Sequence, residues 1–215
     1  MSHSIIKSEP FNTHANEYDE WYEKYPHVFK SEVEAVRNML PKDDCYGIEV
    51  GLGTGRFSAA LGIKEGVEPA KEMIKIAKSR GIEVMEGVAE SLPYKDLRFD
   101  FVVMVSSINY FYDLQAAFHE AHRVLKKGGI IVIGFIVKNS IIGNYYEQNR
   151  NFSIFQKQAT FYTIPKLISE IKSAGFNRLH FTQTLFKKLD DIKEFEAAEP
   201  GFDKGSFIVI KASKR

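Results

Sequence analysis

Three glycines at alternate positions, Gly51, Gly53 and Gly55, separate a short apolar run, Tyr46 to Val50, from a segment, Arg56 to Leu61, that reads as a helix. No other feature of the chain narrows its fold so far. Glycines in this place let the backbone turn tightly and let a ligand lie against it. A lone glycine-rich turn is weak evidence, and its flanks give it weight. Downstream, Gly66-Val-Glu68 ends a second strand, Ala70 to Ser79 is helical and stops at Gly81, and Ile82 to Met85 is a third strand. Asp100 to Ser106 is a fourth strand and Leu114 to Leu125 a helix, followed by the turn Lys126-Lys-Gly-Gly129 and a fifth strand, Ile130 to Val137. Strands and helices alternate, and the central strands are continuous apolar runs. Both features belong to a parallel sheet covered on two faces.

The two ends depart from this alternation. Residues 1–27 are polar and aromatic, with Phe11, Tyr18, Trp21, Tyr22 and Tyr25 set among acids and histidines. From Phe29 to Leu40, apolar residues at 29, 33, 36, 39 and 40 keep a helical spacing that Pro41 stops. Residues 1–41 are therefore expected to form an N-terminal helical segment or lid, and 42–215 the ligand-binding domain. Near the end, Thr163 and Pro165 open a helix carrying Leu167, Ile168 and Ile171, and Gly175 closes it. Arg178 to Leu185 and Ser206 to Ala212 then read as two strands with no helix between them, a pair that can be antiparallel. Residues 138–162 show little period and hold Tyr145, Tyr146, Phe152, Phe155, Phe161 and Tyr162. Connections of this length often serve as lids or binding loops. A surface insertion with a small helix is the alternative, and both readings stand.

Composition removes several classes of function. Lys and Arg number 29 against 28 Asp and Glu, without the basic excess that phosphate contacts demand of a nucleic-acid binder. Cys45 is the one cysteine; it cannot form an internal disulfide, fits a reducing compartment, and reads as a small buried apolar residue. The N-terminus lacks the apolar core of a signal peptide, and no run approaches the roughly 20 apolar residues of a membrane span. The expectation is a cytoplasmic protein with no nucleic-acid or membrane partner.

The glycine turn discriminates between ligands. A dinucleotide fold asks for G-x-G-x-x-G, with pyrophosphate at the helix N-terminus. Counted from Gly51, the third glycine falls at residue 56, which is Arg56. Glu49 lies two residues before the turn, where its charge would repel a pyrophosphate. S-adenosylmethionine (SAM) carries an ammonium and a sulfonium and no phosphate, so a nearby carboxylate helps it; otherwise Glu49 simply caps the loop. Glu68, at the end of the second strand, is placed to accept hydrogen bonds from ribose hydroxyls, which SAM and NAD share.

Taken with the motifs that follow, these residues resemble class I SAM-dependent methyltransferases, most closely the small-molecule group that includes ubiquinone/menaquinone biosynthesis methyltransferases. Ala15-x-x-Tyr18-Asp19-x-Trp21 is similar to that group's N-terminal signature, and Ile48 to Gly55 to its first motif. Val67-Glu68-Pro69 with Met73 resembles the ribose-binding strand end, and Gly87-Val-Ala-Glu-Ser-Leu-Pro93 the third motif. Phe99-Asp100 and Glu120-x-x-Arg123-Val-Leu-Lys-Lys-Gly-Gly129 fit as well. The resemblance implies an α/β fold, a Rossmann-like doubly wound seven-stranded mostly parallel sheet with one reversed strand near the C-terminus. It implies SAM as cofactor, with Gly51, Gly53 and Gly55 around the methionine moiety and Glu49 orienting the amino group. By the same resemblance Glu68 takes the ribose, Pro69 and Met73 lie near the nucleoside, and Ala89 and Glu90 face adenine. Ser106 lies near the methionine part, and Tyr18 closes over the cofactor. Val88 stands where the family often has an acid for the adenine amino group, which weakens the adenine assignments.

Methyl transfer from a sulfonium is an in-line displacement in which the cofactor supplies the electrophile, so no catalytic residue is named from the sequence. Trp21, Asn109, Tyr110, Tyr145 and Tyr146 are candidates for the wall of a small-molecule acceptor site, with Tyr18 beside them; the same aromatics also suit ordinary packing. Residues 138–162 are the expected substrate-side insertion. His119 and His122 are spaced i,i+3 and not as a zinc helix requires, so no metal is expected. Asp100 reads as support for the sheet, and Glu120 with Arg123 as a helix pair. Two alternatives remain at this point: a SAM-binding domain without catalysis, and an NAD-dependent oxidoreductase.

Overall fold

The computed structural model describes residues 3–42 and 44–215; Met1, Ser2 and Asp43 of the expected segments lie outside the described residues. Two helices, α1 (His3–Thr13) and α2 (Ala15–Lys24), lead into α3 (Pro26–Arg37). Pro26 opens α3, where a fixed φ and a missing N–H cost nothing. The buried stripe of α3 runs Val28, Glu32, Val36 at intervals of one turn, so an acid sits where the pattern asks for an apolar residue.

The alternating core follows as β1 (Gly47–Val50), α4 (Arg56–Leu61), β2 (Glu65–Glu68), α5 (Lys71–Ser79), β3 (Glu83–Glu86), β4 (Phe99–Val105), α6 (Leu114–Val124) and β5 (Leu125–Ile136). The remainder is α7 (Ile141–Asn149), α8 (Ile164–Ser173), β6 (Phe176–Thr184), β7 (Glu199–Pro200) and β8 (Phe207–Lys214). One sheet has the order β3-β2-β1-β4-β5-β8-β6-β7. Strands β1 to β5 are parallel to their neighbours, and β8 runs antiparallel to both β5 and β6.

Residues along each strand alternate between two cores. Ile48, Val50, Val102, Met104, Ile131, Ile133, Ile208 and Ile210 pack with Phe118 of α6 and Leu167 and Ile171 of α8. Phe101, Val103, Val105, Val132, Phe207 and Val209 pack with Val28, Val33 and Val36 of α3 and Phe57 of α4. Coverage on both faces explains why the strands read as continuous apolar runs.

Two expectations need correction. The sheet has eight strands, not seven; the extra one, β7, is a two-residue edge strand paired with Thr182 and Gln183, too short to carry a period. The Lys126–Gly129 turn is a bulge within β5, the pairing stepping from Phe99↔Leu125 to Phe101↔Ile130. Residues 138–162, which the sequence left as either a lid or an insertion with a small helix, do contain helical structure. They hold α7 and two 3-10 turns, Arg150–Phe152 and Gln156–Gln158. Lys138 N–H donates to Tyr162 O (2.9 Å) at the base of this segment, and the Arg150 guanidinium bonds the carbonyls of Lys157 (3.1 Å) and Ala159 (3.0 Å). No helix among the described residues is long and apolar enough to cross a membrane.

Candidate functional site

The chain leaves β1 and β4 toward opposite sides of the sheet, which opens a crevice at their C-terminal ends, the place where such sheets hold ligands. The glycine turn enters it from β1, Glu68 from β2 and Ser106 from β4. The crevice holds about 700 Å³ of empty space, part of it open to solvent, and is lined by Gly51, Gly53, Glu68, Pro69, Met73, Ala89, Glu90, Ser106 and Tyr18 among others. Gly51 has φ +71°, and a Cβ on it would stand 2.6 Å from Cβ of Ser107, so the turn admits no side chain there. Ser106 also takes a left-handed φ, +52°, a strained conformation of the kind that clusters at functional sites.

Glu68 is 6% exposed. Its Oε2 accepts from Gly53 N–H (2.9 Å) and its Oε1 from Ala70 N–H (3.0 Å). Burial pushes its carboxyl up to about 7, against the pull of those two bonds. One side chain thus fixes the glycine turn and presents its remaining lone pairs to the crevice. Among the described residues lining the crevice there is neither lysine nor arginine, and two of them, Glu68 and Glu90, are acids. Such a wall suits a cationic cofactor and repels a pyrophosphate.

Arg56 has a structural part to play. Its Nε and Nη2 donate to the Asp19 carboxylate of α2 at 3.0 and 2.6 Å, and Arg80 Nη2 donates to the same group at 2.7 Å. Where a dinucleotide turn would carry a glycine, this chain carries the cation that fastens α2 above the turn. Burial opposes the Asp19 charge, but the two arginines outweigh it and hold the carboxyl down to about 2. The clamp brings Tyr18 onto the crevice wall, with the Phe11 ring 5.5 Å away, edge on.

Other predicted residues fall elsewhere. Glu49 is 1% exposed and lies beneath the turn, accepting from Ser58 Oγ (2.5 Å); burial pushes it up to about 8. Glu49 and Gly55 line neither this crevice nor the cavity beside it. Gly55 instead caps α4, with φ +78°. Glu90 accepts from the backbone N–H groups of Tyr112 (2.6 Å) and Asp113 (3.1 Å), tying the loop after β3 to the start of α6. Glu120 and Arg123 pair at 2.7 Å and also hold Leu92: its N–H donates to Glu120 Oε2 (2.7 Å) and its O accepts from Arg123 Nη2 (3.1 Å). Asp100 supports the sheet, accepting from Tyr46 N–H (3.0 Å) and Lys126 Nζ (2.8 Å). His122 packs edge-on against Phe176.

A second cavity adjoins the first, with about 780 Å³ of empty space including open solvent. Tyr18, Ser106 and Tyr110 line both. Trp21, Asn109 and Tyr146 line the second, whereas Tyr145 lines neither and is half exposed, at 49%. Asn109 Nδ2 donates to Thr160 O (2.8 Å), and Thr160 N–H returns a bond to Asn109 O (2.8 Å). The post-β4 loop is thereby locked to the 138–162 segment. Sequence reasoning missed Phe11 and Ser8 of the first wall and Glu32, Phe155 and Phe161 of the second. For Glu32 a signal existed, the acid on the apolar stripe of α3. For Phe155 none did, because a loop carries no period.

The comparisons agree with this geometry. A family model described as a methyltransferase domain matches residues 48–133. A solved SAM-dependent methyltransferase of Thermotoga maritima, described as a possible histamine N-methyltransferase, is 39% identical, covers 97% of this chain and 100% of its own, and superposes with a TM-score of 0.94. An uncharacterised protein of Methanocaldococcus jannaschii is 40% identical over 95% of this chain and 98% of its own. A ubiquinone/menaquinone biosynthesis C-methyltransferase of Campylobacter jejuni is 26% identical over 73% of this chain and 81% of its own. The chain belongs to the SAM-dependent methyltransferases. It is an enzyme of that class with SAM as its cofactor, which removes the oxidoreductase alternative.

Proposed function

We propose that the enzyme methylates a small molecule bound in the second cavity while SAM occupies the first. The observation that carries this is the shared wall: Tyr18, Ser106 and Tyr110 border both spaces, so an acceptor and the cofactor meet there. SAM supplies an electrophilic methyl. On this reading Gly51 and Gly53 lie along the methionine moiety, Glu68 accepts from the ribose, and Pro69, Met73, Ala89 and Glu90 border the nucleoside. Glu49 acts only through the turn that it supports. Tyr18 and Tyr110 exclude water where the methyl passes, and their aromatic faces position the acceptor. The α1–α2 segment serves as a lid and residues 138–162 as the acceptor side of the site.

A net charge of only +1 and an aromatic-lined cavity favour a metabolite over nucleic acid, and a single cysteine fits a cytoplasmic enzyme. The Thermotoga relative is described as a possible histamine N-methyltransferase and the Campylobacter relative as a ubiquinone/menaquinone biosynthesis C-methyltransferase, both names of small-molecule chemistry. The test is calorimetric titration with SAM, S-adenosylhomocysteine and NADH, followed by transfer of labelled methyl to a metabolite library. Binding of the two sulfur compounds in the micromolar range, lost in Glu68→Ala, with label recovered in a small product, is expected. Label recovered only in protein or RNA would refute the small-molecule reading.

A further inference from the structure

The second cavity contains an acid that no described residue pairs with. Glu32 projects from the buried stripe of α3 and is 4% exposed, yet it lines the cavity beside Trp21, Tyr22 and Tyr146. Its carboxylate takes part in no hydrogen bond or ion pair among the described residues. The hydroxyls of Tyr22 and Tyr146 are near enough to feel its charge without bonding it. Among the described residues no lysine, arginine or histidine lines the cavity, and the one further acid among them, Glu17, is paired with His14 at 3.0 Å. Holding an ionised carboxylate there without a partner is costly, and a bound cation would offset that cost.

We infer that Glu32 is the anchor for the acceptor, and that the acceptor is a small amine, bound as its ammonium with its apolar body between the rings of Trp21 and Tyr146. This inference rests on the methyltransferase reading and deepens it by naming the substrate class. Aromatic walls favour a cation over a neutral group of the same shape, and the carboxylate supplies the opposite charge in a space of low dielectric. An ammonium has no lone pair and cannot attack a methyl group. Glu32 removes that obstacle by taking one proton, which leaves a neutral amine and a neutral carboxylic acid. Burial already raises its proton affinity, to about 8. The nitrogen lone pair then forms the N–C bond as the C–S bond breaks, its electron pair going to sulfur. The products are the methylated ammonium, S-adenosylhomocysteine and one proton, which leaves Glu32 for solvent.

The test is calorimetry at saturating S-adenosylhomocysteine with benzylamine, phenethylamine and butylamine, each against the alcohol of the same shape. The wild type is expected to bind at least one amine at least tenfold more tightly than its alcohol. Glu32→Gln, which keeps the side-chain volume, is expected to erase that preference while still binding S-adenosylhomocysteine, which also shows that it folds. The amine–alcohol contrast in the wild type stands without any variant. Failure of every amine to bind, or equal preference in Glu32→Gln, overturns the amine assignment and leaves the methyltransferase reading in place. Failure of the wild type to bind S-adenosylhomocysteine strikes that reading itself.

Discussion

Replacing Asp19 by Asn removes one charge and leaves the shape. The carboxylate receives three bonds from two arginines, between 2.6 and 3.0 Å, and its side chain is 16% exposed. The arginines hold its carboxyl at about 2, against a usual 3.8. A carboxyl depressed in the folded state stabilises it above the unfolded pKa and loses that contribution as pH falls toward the folded value. At about 1.4 kcal/mol per unit, discounted for the solvent that reaches the group, the interaction contributes roughly 1–2 kcal/mol at neutral pH. Asn also turns an N–H₂ or a weaker acceptor toward a guanidinium, so about 2 kcal/mol is expected, a shift of about 30-fold in the docking of α2. Two assays read this. Limited proteolysis between α1 and α3 accelerates in Asp19→Asn, and calorimetry shows weaker S-adenosylhomocysteine binding, because Tyr18 leaves the crevice wall. The control is Glu23→Gln, whose side chain is 72% exposed and which is expected to change stability by no more than about 0.5 kcal/mol. The difference between wild type and Asp19→Asn shrinks as pH is lowered below about 4. Equal cleavage rates and equal affinities at pH 7 would refute the clamp.

Three further outcomes follow from the geometry. Glu68→Gln loses a charged acceptor for the N–H groups of Gly53 and Ala70 and is expected to weaken cofactor binding by about 2 kcal/mol or more, measured by calorimetry; an unchanged affinity would show that the carboxylate is not used. Gly51→Ala meets both a positive φ and Ser107 at 2.6 Å, whereas Gly62→Ala meets the φ alone with nothing within 4 Å. The second is expected to cost about 1 kcal/mol and the first several times that by urea titration, and equal losses would contradict the packing account. Burial raises Glu32 and Glu49 to about 8, so the folded state keeps protons that the unfolded chain has released above about 4.5. Stability therefore falls as pH rises from about 5 to 8, by up to about 1.4 kcal/mol per unit for each acid, and Glu49→Gln flattens that fall; a slope unchanged in the variant would count against it.

The alternating core was legible because its signals are local. The glycine turn, the apolar strands and their order place Gly51, Glu68 and Ser106 at one end of the sheet without any contact being known. The acceptor side was less legible for a physical reason. Its wall is assembled from α2, α3, the loop after β4 and the 138–162 segment, elements far apart in sequence that meet only through packing. Tyr145 and Tyr146 are neighbours with the same chemistry, and helix phase alone sends Tyr146 inward and Tyr145 to solvent. Arg56 was informative as the residue that breaks a dinucleotide pattern, but its grip on Asp19 spans 37 positions and leaves no trace in local spacing. Glu32 shows the reverse: its place on the stripe was visible, and only the packed structure shows that it lines a cavity with no partner among the described residues.

The place of β8 in the sheet bears on how the protein is made. It is synthesised after β6 and β7 but lies between β5 and β6. During translation, β5 can join β4 at once, while the backbone N–H and C=O groups on its other edge wait unpaired until residue 214 has left the ribosome. An apolar strand edge of this kind is a template for pairing with other chains, and long-range strand insertion is slow. The interval between the emergence of β5 and the emergence of β8 is therefore when the nascent chain is most exposed to aggregation, and chaperone binding is expected to concentrate on it then, before the methyltransferase exists as a folded object.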